Sequence, residues 1–249
     1  MHFGKSLPSA HAPTDPHSPR RVRMEPRPSF HRLGECRSTE LGRAQTYEAG
    51  ALLRREGLVA DLAFTSVLSR CVRSQLALLE GMDRVWVPVV LDWRLDERHY
   101  GALTGLSKQA AVSTHGAAAV QRWRRSFDVL PPQGPSHGDG HPVVDEHYAN
   151  LPATSIPSGE SLAQVVDRVR PVWLHPVTGA LASGKRVIIT AHGNSLRALI
   201  KLIEGIPDDD IPRLEVPNAV PIVFELDAAL QVVRKSSLDN PTATPSEIL

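Results

Sequence analysis

Val187-Ile188-Ile189-Thr190-Ala191-His192-Gly193-Asn194-Ser195-Leu196-Arg197 is the stretch whose reading decides the fold. Its first three residues are apolar and β-branched, the composition of a short strand buried on both faces. Gly193 permits a positive φ or a close backbone approach. From Ser195 an apolar run at helical spacing follows: Leu196, Ala198, Leu199, Ile200, Leu202 and Ile203. A strand-to-helix turn points unpaired N–H groups and the positive end of the helix dipole outward, which suits an anion such as phosphate. His192 stands on that turn. It is either a hydrogen-bonded structural residue or one member of a site, and partners elsewhere in the chain must decide.

The totals set the frame for those partners. A chain of 249 residues is long enough for one large α/β domain with a full core. Its 41% hydrophobic and 22% charged residues are those of an ordinary globular protein. A net charge of +1 gives no reason to expect nucleic acid or an anionic membrane as partner. Cys36 and Cys71 form neither a metal nor a disulfide pattern, in keeping with a reducing, cytoplasmic setting. No apolar run approaches the roughly 20 residues needed to cross a bilayer.

Outward from the opening stretch, patterned segments alternate. Thr39 is a candidate N-cap for a helix through Leu41, Ala44, Ala51 and Leu52 that stops at Gly57. Leu62–Ser66 reads as a strand, and Val67 to about Gly81 as a helix. Val85–Leu91 contains Pro88, so its strand lies at an edge or starts after the proline. One helix is expected from about Lys108 to Phe127. Residues 131–158 read as a long loop. Ser161–Trp173 is helical, with Pro171 kinking or ending it. Val220–Leu226 and Val232–Val233 are late strands. The alternation predicts a three-layer α/β/α fold with a mostly parallel central sheet. Ligands in such sheets sit beyond the carboxyl ends of the strands, where Thr65-Ser66 and Ala191-His192 fall. Residues 39–239 form the domain and residues 240–249 a tail. Residues 1–38 stand apart, with six prolines, seven basic residues and three acidic ones, and no strand or helix periodicity. Their composition predicts disorder.

Three clusters can share the crevice with His192. These are Arg70, the ionisable run Leu95-Asp96-Glu97-Arg98-His99-Tyr100-Gly101, and Trp123-Arg124-Arg125. Each alone has a plain explanation as a solvated face or surface ion pair. Together they suit a ligand with phosphate and carboxylate groups, which arginine forks bind in bidentate fashion. A histidine among them can act as nucleophile or as stabiliser of a transferring phosphoryl group. A glutamate can pass protons to and from a hydroxyl. There is no metal-ligand cluster and no Walker-type loop, so metal-free phosphoryl transfer through a histidine is expected.

These runs also carry a resemblance. Phe64-Thr65-Ser66-Val67-Leu68-Ser69-Arg70, Leu95–Leu103, Trp123-Arg124-Arg125, Gly159-Glu160-Ser161-Leu162, Ala191–Arg197 and Val216-Pro217-Asn218 stand in the order found in the cofactor-dependent phosphoglycerate mutases. From Thr39 to about Asp239 the chain closely resembles that family of the histidine phosphatase superfamily. The resemblance implies a glycolytic and gluconeogenic isomerase that interconverts 2- and 3-phosphoglycerate through a phosphohistidine. It implies 2,3-bisphosphoglycerate as the priming phosphoryl donor, no metal, and a cytoplasmic homodimer or homotetramer. It implies Glu97 as proton donor and His192 as the histidine that stabilises the transition state. It places Arg70, Glu97, Arg98, His99, Tyr100, Lys108, Arg124, Arg125, Gly193 and Asn194 at substrate-binding positions.

One part of the pattern is absent. The family's nucleophile lies in an Arg-His-Gly-Glu-Ser motif after a first, central strand, and a Phe-Thr-Gly-Trp run follows it. His2, His11, His17 and His31 have no such context. The chain as written is therefore expected to form no phosphohistidine and to turn over little or nothing. It could then serve as a catalytically dead phospho-ligand binder. A related phosphatase is disfavoured by the complete Glu97–Gly101 run. The codons of Thr14–Ser38 supply an explanation. Read one base later they permit Leu-Ile-Leu-Thr-Arg-His-Gly-Glu-Ser-Val-Trp-Asn and then Arg-Asp-Arg-Arg-Phe-Thr-Gly-Trp-Val-Asn-Val-Asp-Leu. One tryptophan is forced in that frame, because Met24-Glu25 contains TGG. The expectation is a frameshifted first strand and nucleophile loop, with the frame rejoined at Ser38–Thr39.

Overall fold

The computed structural model describes residues 39–135 and 146–241. The expectations for residues 1–38 and for most of the tail therefore lie outside the described residues. Helix α1 (Glu40–Arg55) opens on Thr39, whose hydroxyl accepts the Gly42 N–H at 3.0 Å, and Arg54 and Arg55 face the negative end of its dipole. It packs along α2 (Ser69–Gly81). Two glycines set how closely the helices approach. A Cβ on Gly81 would stand 2.0 Å from the Tyr47 carbonyl oxygen, and one on Gly50 would stand 2.1 Å from that of Leu78.

Between the helix layers lie β1 (Leu62–Thr65), β2 (Val89–Leu91) and β3 (Val187–Thr190), all parallel in the order β2-β1-β3. Ala63 pairs with Val89 on one side and with Ile188 on the other. Alternate side chains go to opposite faces. Ala63 and Ile188 join Ala49, Leu53 and Leu79 beneath α1 and α2. Phe64, Val187 and Ile189 join the core of α5 (Leu162–Val172) and α7 (Gly193–Glu204). The three layers are as expected, and β2 lies at an edge as Pro88 implies. That proline cannot donate, but its carbonyl accepts from Ala63.

One expectation needs correction, and the structure details two others. The helix read as continuous from Lys108 is two, α3 (Lys108–His115) and α4 (Ala117–Arg125), because Gly116 takes φ +80° between them. α5 runs only to Val172, one residue past Pro171, in keeping with a helix that the proline kinks or ends. The chain continues from α5 through a π turn, Trp173–Val177, that contains Pro176, and then into α6 (Thr178–Ala182). The wider turn accommodates a residue that has no N–H to give. The late strands β4 (Ile222–Leu226) and β5 (Val232–Ser237) form an antiparallel hairpin separate from the parallel sheet. Asn240, placed in the tail by sequence, is buried and donates to the Ala219 carbonyl at 2.7 Å and the Gln45 carbonyl at 3.2 Å. Among the described residues no helix is long and apolar enough to cross a membrane.

Candidate active site

Both expected strand ends deliver. β1 runs into Ser66 and then to Arg70, the second residue of α2. β3 runs into His192 at the N-terminus of α7. Around them closes a cavity of about 360 Å³, lined by Arg70, Glu97, Tyr100, Lys108, Arg124, His192, Gly193 and the 216–219 segment. Lys108 is the first residue of α3, and Arg124 lies in the last turn of α4. The break at Gly116 folds these two cations towards one cavity, which a single straight helix would not do. A Cβ on Gly193 would meet nothing within 4 Å, so the first turn of α7 offers open space for a ligand.

Serines on either side fix His192. Its N–H donates to Ser195 Oγ at 3.0 Å, and its Nε2 lies 2.8 Å from Ser66 Oγ. Burial pushes the imidazole well below its ordinary value, and the charges of Arg70 and Arg168 push it the same way. The ring is neutral at pH 7. A phosphate beside it reverses the sign of the local field and favours the imidazolium.

Glu97 is held from α7. Its Oε1 accepts from Asn194 Nδ2 at 2.9 Å and from the Arg98 N–H at 2.7 Å. The same amide nitrogen donates to the Tyr100 hydroxyl at 3.0 Å. Burial and the Glu97 charge push that phenol up, so it stays protonated.

Beneath the cavity lies an anchor that sequence reasoning missed as a unit. Arg168 of α5 forks onto Glu160 at 2.7 and 2.9 Å, and its guanidinium also donates to the carbonyls of Trp93, Arg94 and Asp96. Glu160 accepts the His99 N–H at 2.9 Å. Asp96 is buried, accepting from the Val67 N–H at 3.1 Å and the Tyr148 hydroxyl at 2.6 Å, and burial raises its pKa to about 6. Glu160 stood in a quoted run, but nothing in the spacing singled out Arg168, Asp96, Ser66 or Tyr148 for this role.

The expected site residues thus divide. Arg70, Glu97, Tyr100, Lys108, Arg124, His192 and Gly193 share the cavity, and Asn194 positions two of them. Arg98 is 1% exposed and donates to the Glu160 and Val129 carbonyls, behind the residues that line the cavity. His99 does likewise, its Nδ1 accepting from the Gly101 N–H. Arg125 does not line the cavity. Its charge instead acts on Arg197. A second cavity, about 730 Å³, lies on the far side of Glu160 and holds none of the expected residues.

Known proteins bear on this geometry. A family model described as the histidine phosphatase superfamily (branch 1) matches residues 30–141 and 140–238. The chain is 47% identical over 200 residues, 80% of its own length and 88% of the relative's, to a 2,3-bisphosphoglycerate-dependent phosphoglycerate mutase of Actinobacillus succinogenes. It is 44% identical over 209 residues, 84% of each chain, to the protein of the same name from Leifsonia xyli. Among solved structures, a mycobacterial glucosyl-3-phosphoglycerate phosphatase superposes with a TM-score of 0.58 at 23% identity, over 85% of this chain and 89% of the other. The α-ribazole phosphatase of Shigella flexneri does so with a TM-score of 0.60 at 16% identity, over 89% and 92%. These two likenesses speak to the fold alone.

Proposed function

The chain belongs to the histidine phosphatase superfamily, and we propose that its cavity binds phosphoglycerates and carries the residues of the 2-phosphoglycerate/3-phosphoglycerate mutase reaction. One observation carries this reading. Arg70, Lys108 and Arg124, from three separate helices, converge on a cavity that also holds Glu97 and a neutral His192. The relatives' names point to the same substrates.

Arg70, Lys108, Arg124 and the N-terminus of α7 would hold the phosphate and carboxylate groups. Glu97, held by Asn194, moves the proton of the substrate hydroxyl. His192, held by Ser66 and Ser195, donates to the phosphoryl oxygens as charge develops there. The donor set fits 2,3-bisphosphoglycerate equally well, since three cations and a helix N-terminus match two phosphates. That molecule, when bound, supplies the priming phosphoryl group. Turnover also needs a histidine nucleophile facing His192, and no other histidine lines the cavity among the described residues. The described residues on their own are therefore expected to bind without supplying the nucleophile. A cytoplasmic setting and a homodimer or homotetramer belong to this proposal on the family's account.

Calorimetry with 3-phosphoglycerate tests the site. Saturable binding, weakened about tenfold or more in Arg70→Gln and Arg124→Gln, is expected. Absence of binding, or binding indifferent to both changes, would overturn it. Labelled 2,3-bisphosphoglycerate should leave no acid-labile, base-stable label on the chain as written.

A further inference from the structure

Ser66 sits between two titratable groups. Its Oγ lies 2.8 Å from His192 Nε2 and accepts the Leu68 N–H at 3.2 Å. The same hydroxyl bonds the Asp96 carboxyl, whose other partners are the Val67 N–H and the Tyr148 hydroxyl. Ser66 is 0% exposed and Asp96 3%, so bulk water does not compete for these bonds. Asp96 does not line the ligand cavity, and it can act on a ligand only through other residues. A hydroxyl has one proton to give and two lone pairs to accept with. One lone pair of Ser66 takes the Leu68 N–H. One donation and one acceptance remain, to be shared between Asp96 and His192. An ionised carboxylate only accepts, so the Ser66 O–H turns to Asp96 and Oγ accepts from Nε2–H of the neutral ring. A protonated carboxyl can donate to Oγ. The Ser66 O–H then turns to a bare Nε2, and the ring carries its proton on Nδ1.

We propose that Asp96 is a positioning residue for His192: through the Ser66 hydroxyl, its ionisation decides which ring nitrogen carries the proton, and its carboxylate supports the imidazolium that a bound phosphate favours. The proton count is simple. One proton enters from solvent at Asp96, the ring proton moves from Nε2 to Nδ1, and only Asp96 changes charge. With Asp96 ionised, the order carboxylate, hydroxyl, Nε2–H also suits a charged ring, because every donor then points toward the negative end. With Asp96 protonated, the Ser66 O–H faces Nε2, and a ring charged at that nitrogen loses its acceptor. Burial raises the Asp96 pKa to about 6, against the Tyr148 bond, the Arg168 charge and the Val67 and Ser66 bonds, so the change falls there. The groups facing the pair are few. Asp96 meets Tyr148 and, from α5, Arg168 with its partner Glu160, and Glu97 follows it in the chain. His192 feels Arg70 of α2 and Arg168. Ser66 also bonds Cys71, whose thiol burial pushes up and keeps neutral.

The tautomer rests on the fold alone. The support of the imidazolium rests on the function proposed above, and the experiment separates the two. Ring-nitrogen NMR of the ligand-free full chain, labelled with 15N at histidine, reads the tautomer directly. The His192 signals are found among the 11 histidines by difference with His192→Gln. The proton is expected on Nε2 at about pH 7.5 and on Nδ1 at about pH 5. Asp96→Asn and Ser66→Ala should each abolish the switch. Tyr148→Phe removes a bond that holds the Asp96 pKa down, so it should move the midpoint upward and keep the switch. That shift keeps the idea testable should Asp96→Asn fail to fold, and a merely structural Asp96 would not produce it. Calorimetry with 3-phosphoglycerate at about pH 7.5, in buffers of different ionisation enthalpy, counts the protons taken up on binding. Uptake should fall by about half or more in Asp96→Asn, with affinity about threefold or more weaker. One tautomer throughout the pH range, or the same switch in Asp96→Asn, would overturn the proposal. Uptake unchanged in Asp96→Asn would overturn the support of the imidazolium. A tautomer switch without any 3-phosphoglycerate binding would keep Asp96 in its role and overturn the phosphoglycerate reading instead.

Discussion

Arg168→Met should be among the most damaging single substitutions in the described fold. The Arg168 side chain is 8% exposed and that of Glu160 is 4% exposed, so the change leaves a carboxylate buried without its partner. Breaking such a pair from one side costs about 3–5 kcal/mol. The carbonyls of Trp93, Arg94 and Asp96 also lose a donor, each worth about 1 kcal/mol net. These terms belong to one network and do not add. Trp93, Arg94, Glu160 and Arg168 line the 730 Å³ cavity, so water can reach part of the vacated space. That places the loss near the low end, about 3 kcal/mol, or about 6–12 °C in Tm for a domain of this size. Urea unfolding measures it. Arg168→Lys, which keeps the charge but loses the fork, should recover only part. Arg43→Met, whose pair with Glu80 is 66% and 55% exposed, serves as the control and should cost under about 0.5 kcal/mol. Because Arg168 also fastens the segment that carries Glu97, 3-phosphoglycerate affinity should fall with stability. An Arg168→Met protein within about 1 kcal/mol of the parent would refute the argument.

Three further outcomes are expected. Asp96 holds its proton to about pH 6 when folded against an ordinary value of 3.8, so between those values the folded state binds a proton that the unfolded state has lost. Stability should therefore fall by about 3 kcal/mol as pH rises from about 4 to 6, a slope missing in Asp96→Asn when the two urea series are subtracted. Gly81→Ala puts a methyl 2.0 Å from the Tyr47 carbonyl oxygen and must separate α1 from α2. A loss of at least about 2 kcal/mol is expected by thermal unfolding, and an unshifted midpoint would contradict the close approach. Arg124→Ala should weaken 3-phosphoglycerate binding about tenfold or more, whereas Arg122→Ala, which is exposed and off the cavity, should leave it unchanged by calorimetry.

What could be read in the sequence follows from how local each cause is. The Val187–Ile189 strand, the Thr39 cap and the crevice at the strand ends depend on neighbours within a few residues, and they stand as read. The break at Gly116 and the passage from α5 into a π turn just past Pro171 turn on backbone choices that a glycine or proline permits but does not dictate. Arg98 and His99 were placed at substrate-binding positions by the family resemblance of the Leu95–Leu103 run. Both are buried and bonded to Glu160, 62 and 61 residues away, and no spacing encodes that distance. The same nonlocality holds for the supports of the site. His192 is fixed by Ser66 and Ser195, Glu97 by Asn194, and the floor by Arg168, Glu160 and Asp96, all from segments between β1 and α7.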